Sequence, residues 1–146
     1  MLTGMNHLTL AVADLDRSLH FYRDILKMTL HTRWKYGAYL TCGELWICLS
    51  ADPEIIHRPI HQGYTHYAFT LPPEQFPAFR SLLAAHQITL WKRNRSEGDS
   101  IYFLDPDGHQ LEAHSGGIQQ RLDACREAPY EEMIFPAPGR LMCKMG

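Results

Sequence analysis

Apolar and polar positions alternate near the start of the chain. His7-Leu8-Thr9-Leu10-Ala11-Val12 puts Leu8, Leu10 and Val12 on one face and His7 and Thr9 on the other, which predicts a half-buried strand. The period then changes. Asp14 has the chemistry of a helix N-cap, and Leu15, Leu19, Tyr22 and Leu26 recur behind it at helical spacing. Three short strand-like runs follow at residues 29–34, 38–42 and 45–49, parted by the turn pairs Tyr36-Gly37 and Gly43-Glu44. Residues 52–63 show no period and read as a linker.

The order then returns. Residues 64–69 alternate, Pro72-Pro73 opens a helix with Phe76, Phe79 and Leu83 on one stripe, and residues 88–91 are strand-like. Residues 92–99 form a polar loop. Residues 100–104 and 110–114 flank Asp105-Pro106-Asp107-Gly108, a tight connection by its Pro and Gly. Two β-α-β-β-β halves in one chain constitute an internal repeat, so the expected class is α+β, with modules at about residues 5–51 and 63–115. A short helix at 118–126 is expected to complete a single domain over residues 1–130. Residues 131–146, with Pro136-Ala137-Pro138-Gly139, read as an extended tail.

Composition narrows the function. Of 146 residues, 45% are hydrophobic and 21% charged, and 14 Lys and Arg against 16 Asp and Glu leave a net charge of −2. That balance gives no basic field for nucleic acid or a membrane surface. No apolar run approaches the roughly 20 residues that span a bilayer, and Met1 to Asn6 does not resemble a secretory leader, so a cytoplasmic protein is expected. Cys42, Cys48, Cys125 and Cys143 form no CxxC pair and read as reduced thiols. Nine histidines are more than usual and are the first hint of chemistry.

His7 and His66 fall at equivalent places in the two halves, each on the face opposite the apolar residues. Glu112 shares its face with Gln110 and His114, while Leu111 and Ala113 point the other way. A carboxylate inside a strand of this kind is seldom buried unless paired or bound to metal. Two imidazoles and one carboxylate suit a divalent first-row metal with open coordination positions. In the first half the position matching Glu112 is Ile47 or Cys48, neither of them a hard-metal ligand, so three protein ligands are expected. His57, His61 and His109 read as solvated, His20, His31 and His86 as surface residues, and His114 as a partner of the ligands.

The segments Asn6 to Val12, Gly37 to Leu40, Leu45 to Ser50, Tyr64 to Phe69, Asn94 to Ser100 and Tyr102 to His114 together resemble the vicinal oxygen chelate superfamily. The resemblance is strongest to its fosfomycin-resistance glutathione transferases, and it covers about residues 1–130. It implies a homodimer in which modules pair by exchange, so that a site takes His7 from one chain and His66 and Glu112 from the other. It implies Mn²⁺ as the metal, fosfomycin as substrate, and glutathione as the thiol that opens the epoxide.

By the same resemblance Thr9, Tyr64, Lys92, Ser96, Tyr102 and Arg121 contact the substrate, and Trp46 and Cys48 form the wall near its methyl group. Tyr39 lies by the glutathione sulfur, and Asn94, Ser96, Glu97, Gly98 and Ser100 form a loop for an activating K⁺. Lys92 and Arg121 supply the cations that a phosphonate needs, whereas Arg93 and Arg95 read as solvated. From the residues alone, Trp46 and Cys48 are equally core positions. Within the same fold a fosfomycin hydrolase would need a general base near the epoxide; the resemblance implies a carboxylate just before the strand around Tyr39 in such relatives, where this chain reads Trp34-Lys35-Tyr36-Gly37-Ala38. A transferase for another thiol and a drug-binding module without catalysis are the other readings.

Overall fold

In the computed structural model, which describes residues 1–58, 60, 63–93 and 100–136, each predicted half becomes a four-stranded mixed sheet. The first holds β1 (His7–Val12), β2 (Thr29–Trp34), β3 (Gly37–Cys42) and β4 (Leu45–Ala51) in the order β1-β4-β3-β2. The second holds β5 (Tyr67–Thr70), β6 (Leu90–Lys92), β7 (Ser100–Leu104) and β8 (Gln110–His114) in the order β5-β8-β7-β6. In each sheet the first strand runs parallel to the last and the other pairings are antiparallel. β1 and β5, the strands nearest the two candidate histidines, therefore lie at sheet edges.

Asp14 caps the first helix as expected, its carboxylate accepting from Arg17 N–H at 3.1 Å. That helix, α1 (Leu15–Leu19), widens into a π-helical turn over His20–Ile25. The reason lies in two adjacent aromatics. Phe21 and Tyr22 are both buried and meet edge-on at 4.9 Å, whereas successive residues of an ordinary helix point about 100° apart. Two prolines start the second helix through a short 3₁₀ turn, and Phe76 and Leu83 of α2 (Phe76–Ala85) bury on the expected stripe. One apolar cluster combines both sheets and both helices, with Leu10, Leu40, Ile47, Leu49, Phe103 and Leu111 at most 1% exposed. The register resolves the open alternative in the first half, because Ile47 belongs to this core.

Three expectations need correction. The strand expected from residue 64 starts at Tyr67, and the one expected at 88–91 is β6, with its register irregular between Leu90 and Lys92. His109, read as solvated, is buried, and its Nε2 donates to the carbonyl of Ala11 at 2.8 Å. His109 belongs to a turn that clasps the end of β1. Asp107 accepts from Ala13 N–H at 3.0 Å, from Arg17 Nη2 at 2.8 Å and from Ser18 Oγ at 3.4 Å. Asp105 shapes the turn by accepting from the N–H groups of Asp107 and His109, and it also accepts from the Tyr22 hydroxyl at 2.7 Å. Burial pushes the Asp105 carboxyl up from its usual range, and burial beside that carboxylate holds the Tyr22 phenol well above its own.

Residues 1–115 form one compact unit, and a second begins at Gly116. The helix expected at 118–126 is α3 (Ile118–Glu127) of that second unit, where Arg121 donates to the Tyr130 hydroxyl at 3.3 Å. The described cysteines Cys42, Cys48 and Cys125 are free. None of the described helices is long and apolar enough to cross a membrane.

Candidate functional site

The second sheet gathers most of the chemistry. His66 Nε2 stands 3.1 Å from Glu112 Oε1, and the glutamate side chain is only 9% exposed. The other carboxylate oxygen accepts from the Ser100 hydroxyl at 2.9 Å, and His114 Nδ1 lies 2.7 Å from that hydroxyl and 3.2 Å from the carboxylate. The opposite edge of the His66 ring decides its chemistry. Nδ1 is 2.7 Å from the carbonyl oxygen of Tyr64, which can only accept, so Nδ1 carries the proton. In the neutral ring Nε2 then turns a lone pair toward a carboxylate. Two acceptors at that separation need a positive charge between them, either a proton or a metal ion. Orientation of a ligating imidazole by a carbonyl at its other nitrogen is what metal sites require.

Aromatic rings surround this pair. Tyr64, Trp91 and Tyr102 lie with centroids 4.9, 5.5 and 6.2 Å from His66, and Trp91 Nε1 is fixed by the carbonyl of Leu111 at 2.9 Å. Lys92 Nζ sits over the rings of Tyr64 and Tyr102, 4.5 and 4.6 Å from their centroids, and donates to the Tyr64 hydroxyl, which raises its pKa. A cavity of about 790 Å³ lies beside this cluster, between α2 and the β6–β7 edge; it shares Trp91, Lys92, Ser100 and Tyr102 with the cluster, but its lining includes neither His66 nor Glu112. Its size suits a small ligand.

The first sheet carries a parallel set. His7 Nδ1 faces the amide oxygen of Asn6 at 2.7 Å, which leaves Nε2 as the free nitrogen in this ring also. His7 packs on Trp46 at 4.3 Å, Trp46 on Tyr39 at 5.2 Å, and Tyr39 on Trp34 at 4.8 Å, forming a row of rings across four strands. Gly37 permits this row, since a Cβ there would lie 2.5 Å from the Trp34 ring and 2.8 Å from the Leu49 carbonyl. Trp46 Nε1 is buried without a hydrogen-bond partner among the described residues.

Ladder register shows how the halves correspond. Tyr39 pairs with Cys48 as Tyr102 pairs with Glu112, so the first-half counterpart of Glu112 is Cys48. Thr9 also pairs with Cys48, as Ala68 pairs with Glu112.

One chain thus brings together His66, Glu112, Ser100, Tyr64, Lys92 and Tyr102, and separately His7, Trp46 and Tyr39, with Thr9 and Cys48 paired on neighbouring strands. Among the described residues no three His, Cys, Asp or Glu side chains are placed to hold a metal ion. Asn94, Ser96, Glu97 and Gly98 lie outside the described residues, as do His61 and Cys143, and Arg121 belongs to the second unit. Sequence reasoning gave no role to Trp91, Gln110 or Asp107. For Gln110 the signal was present, because it shares the polar face of Glu112.

Residues 4–113 match the family model described as Glyoxalase/Bleomycin resistance protein/Dioxygenase superfamily, and the chain belongs to that family. It is 54% identical to the glutathione transferase FosA of Serratia marcescens, over 92% of this chain and 96% of that protein. To the metallothiol transferase FosB of Shouchella clausii it is 40% identical, over 84% and 86% of the two chains. Among solved structures it is similar to the fosfomycin resistance protein FosX of Listeria monocytogenes, with a TM-score of 0.75, 28% identity and coverage of 85% of this chain and 99% of that one. A variant of that protein bound to Mn(II) and 1S,2S-dihydroxypropylphosphonic acid aligns with a TM-score of 0.71 at 28% identity, over 84% and 99% of the two chains.

Proposed function

We propose that this chain is a metal-dependent glutathione transferase of the cytoplasm that inactivates fosfomycin by adding the glutathione thiol to its epoxide. The observation that carries the reading is the 54% identity to the Serratia glutathione transferase across nearly the whole of both chains. The site chemistry agrees with it. His66 and Glu112 would hold a divalent ion together with His7 of a second copy, in a homodimer that builds two shared sites. Three features support this arrangement: the anchored Nδ1 of each histidine, the edge positions of β1 and β5, and the unmet N–H of Trp46 beside His7.

A bound Mn²⁺, which the ligand types accept, would act as a Lewis acid on the epoxide oxygen, a contribution worth several kcal/mol. The protein groups bind and orient the reactants. Lys92, held over Tyr64 and Tyr102, supplies a cation for the phosphonate, with Thr9, Ser96 and Arg121 as further contacts. Trp46 and Cys48 face the methyl group. Tyr39 offers its hydroxyl to the thiol. An ordinary thiol has a pKa of about 8.5, so a few per cent is ionised at neutral pH and complete ionisation gains at most about thirtyfold. Tyr39 therefore has a bounded role. K⁺ would act through the loop of Asn94, Ser96, Glu97, Gly98 and Ser100.

Phosphorus NMR of fosfomycin with enzyme, Mn²⁺ and glutathione, and with each omitted in turn, tests the reading. A glutathione adduct in molar excess over protein supports it. A diol formed without thiol identifies a hydrolase, and an unchanged drug signal overturns the assignment.

A further inference from the structure

We propose that Gln110 is the positioning residue of His66. The two histidines are held by different means. In the first sheet the ladder reaches the ligand itself, with His7 paired to Trp46. In the second it stops one residue short, at Tyr67 paired to Leu111, so His66 itself lies outside the ladder. Gln110 stands where that ladder would have continued. Its buried carboxamide donates to the carbonyl of Gly63 at 2.8 Å and to that of Thr65 at 3.1 Å.

A carboxamide nitrogen has two N–H donors, and both are used here. The Tyr64 carbonyl between them takes the His66 Nδ1 proton at 2.7 Å. Three successive carbonyls are thus satisfied by two side chains, and the orientation of the middle one sets the ring that faces Glu112. Removing the amide frees the outer carbonyls to turn toward water, and Tyr64 O turns with them. His66 then loses the acceptor that fixes its tautomer and aims Nε2. Trp46, the counterpart of Gln110 by register, gives no such anchor to His7.

The test uses full-length protein labelled with ¹⁵N, without metal, and long-range imidazole correlations that report which nitrogen is protonated. In the wild type a proton is expected to be held on His66 Nδ1 by the Tyr64 carbonyl, whether or not Nε2 also carries the proton it shares with Glu112. In Gln110→Met the Nδ1 position is no longer held and gives an exchanging mixture, while His7 is unchanged. Gln110→Leu, which has no donor for the carbonyls, is the second variant should the first fail to fold. An unchanged His66 tautomer in a folded variant overturns the proposal.

A second measurement rests on the metal reading. Mn²⁺ affinity followed by electron paramagnetic resonance should fall about tenfold in Gln110→Met, as for other partners that orient a ligand. In a His66→Ala background the same substitution should change nothing. An equal loss in both backgrounds means general loosening and refutes the positioning role. Should His66→Ala bind Mn²⁺ as the wild type does, the metal reading fails, and the tautomer measurement alone decides the role of Gln110.

Discussion

Asp107→Ala removes the clasp between the second module and the end of β1, and its cost can be worked from the contacts. The carboxylate side chain is 2% exposed and accepts from Ala13 N–H, Arg17 and Ser18. Loss of a buried acceptor leaves donors unsatisfied at about 1–3 kcal/mol. Ser18 is fully buried, and its 3.4 Å contact is a weak one, so the Ala13 N–H dominates. The Arg17 side chain is 45% exposed, so its share is discounted to about 0.5–1 kcal/mol. The sum is about 3 kcal/mol, which for a domain of this size lowers Tm by about 9 °C. Asp107→Asn keeps one acceptor for Ala13 and should lose about half as much. Urea unfolding followed by tryptophan fluorescence gives the free-energy difference at constant m. A loss below 1 kcal/mol for Asp107→Ala would refute the reasoning, because the contacts would then be replaced freely by water.

Three further outcomes are expected. Glu112→Gln should reduce turnover to near background while Tyr39→Phe keeps a measurable fraction, no worse than about thirtyfold down, and steady-state kinetics with the reverse ranking would contradict the dominance of the metal. Mixing inactive His7→Ala and inactive Glu112→Ala chains should restore about a quarter of wild-type activity, since half of the dimers are mixed and each has one intact site of two; no recovery after verified subunit exchange would point to sites built within one chain. Tyr22 is neutral in both folded and unfolded chains below pH about 10, and above it only the unfolded phenol ionises because the folded pKa is raised. Its share of stability is therefore constant up to that pH and lost beyond it, and denaturation curves of Tyr22→Phe should show a shallower alkaline fall than those of the wild type.

The fold was legible where the governing interactions are local. Alternation at His7–Val12, the Asp14 cap and the Asp105-Pro106-Asp107-Gly108 turn each declare themselves within a few residues, and the repeated order follows. What escaped depends on distant partners. His109 is buried because a carbonyl 98 residues earlier accepts its proton, and no local pattern encodes that bond. The π-turn at Phe21 and Tyr22 follows from packing both rings. The late start of β5 was hidden because Tyr64 to His66 keep the alternation of a strand while the carbonyls of Gly63, Tyr64 and Thr65 bond to side chains. Of the candidate site, the nearness of His66 to Glu112 follows from the polar face they share, since the ladder partner of Glu112 is Ala68. The place of His7 depends on which chain supplies it.

That dependence has an energetic side. β1 carries His7 at one end and is gripped at the other, through Ala11 and Ala13, by the turn that leads into β8 and Glu112. It is also bonded along its whole length to β4. Moving this six-residue strand away from that turn would cost the roughly 3 kcal/mol of the Asp107 contacts and the His109 bond besides. The shared-site arrangement proposed above leaves this clasp intact in each chain. The same clasp then has a second effect. In that arrangement it would link the strand serving one shared site to the turn that precedes the glutamate of the other.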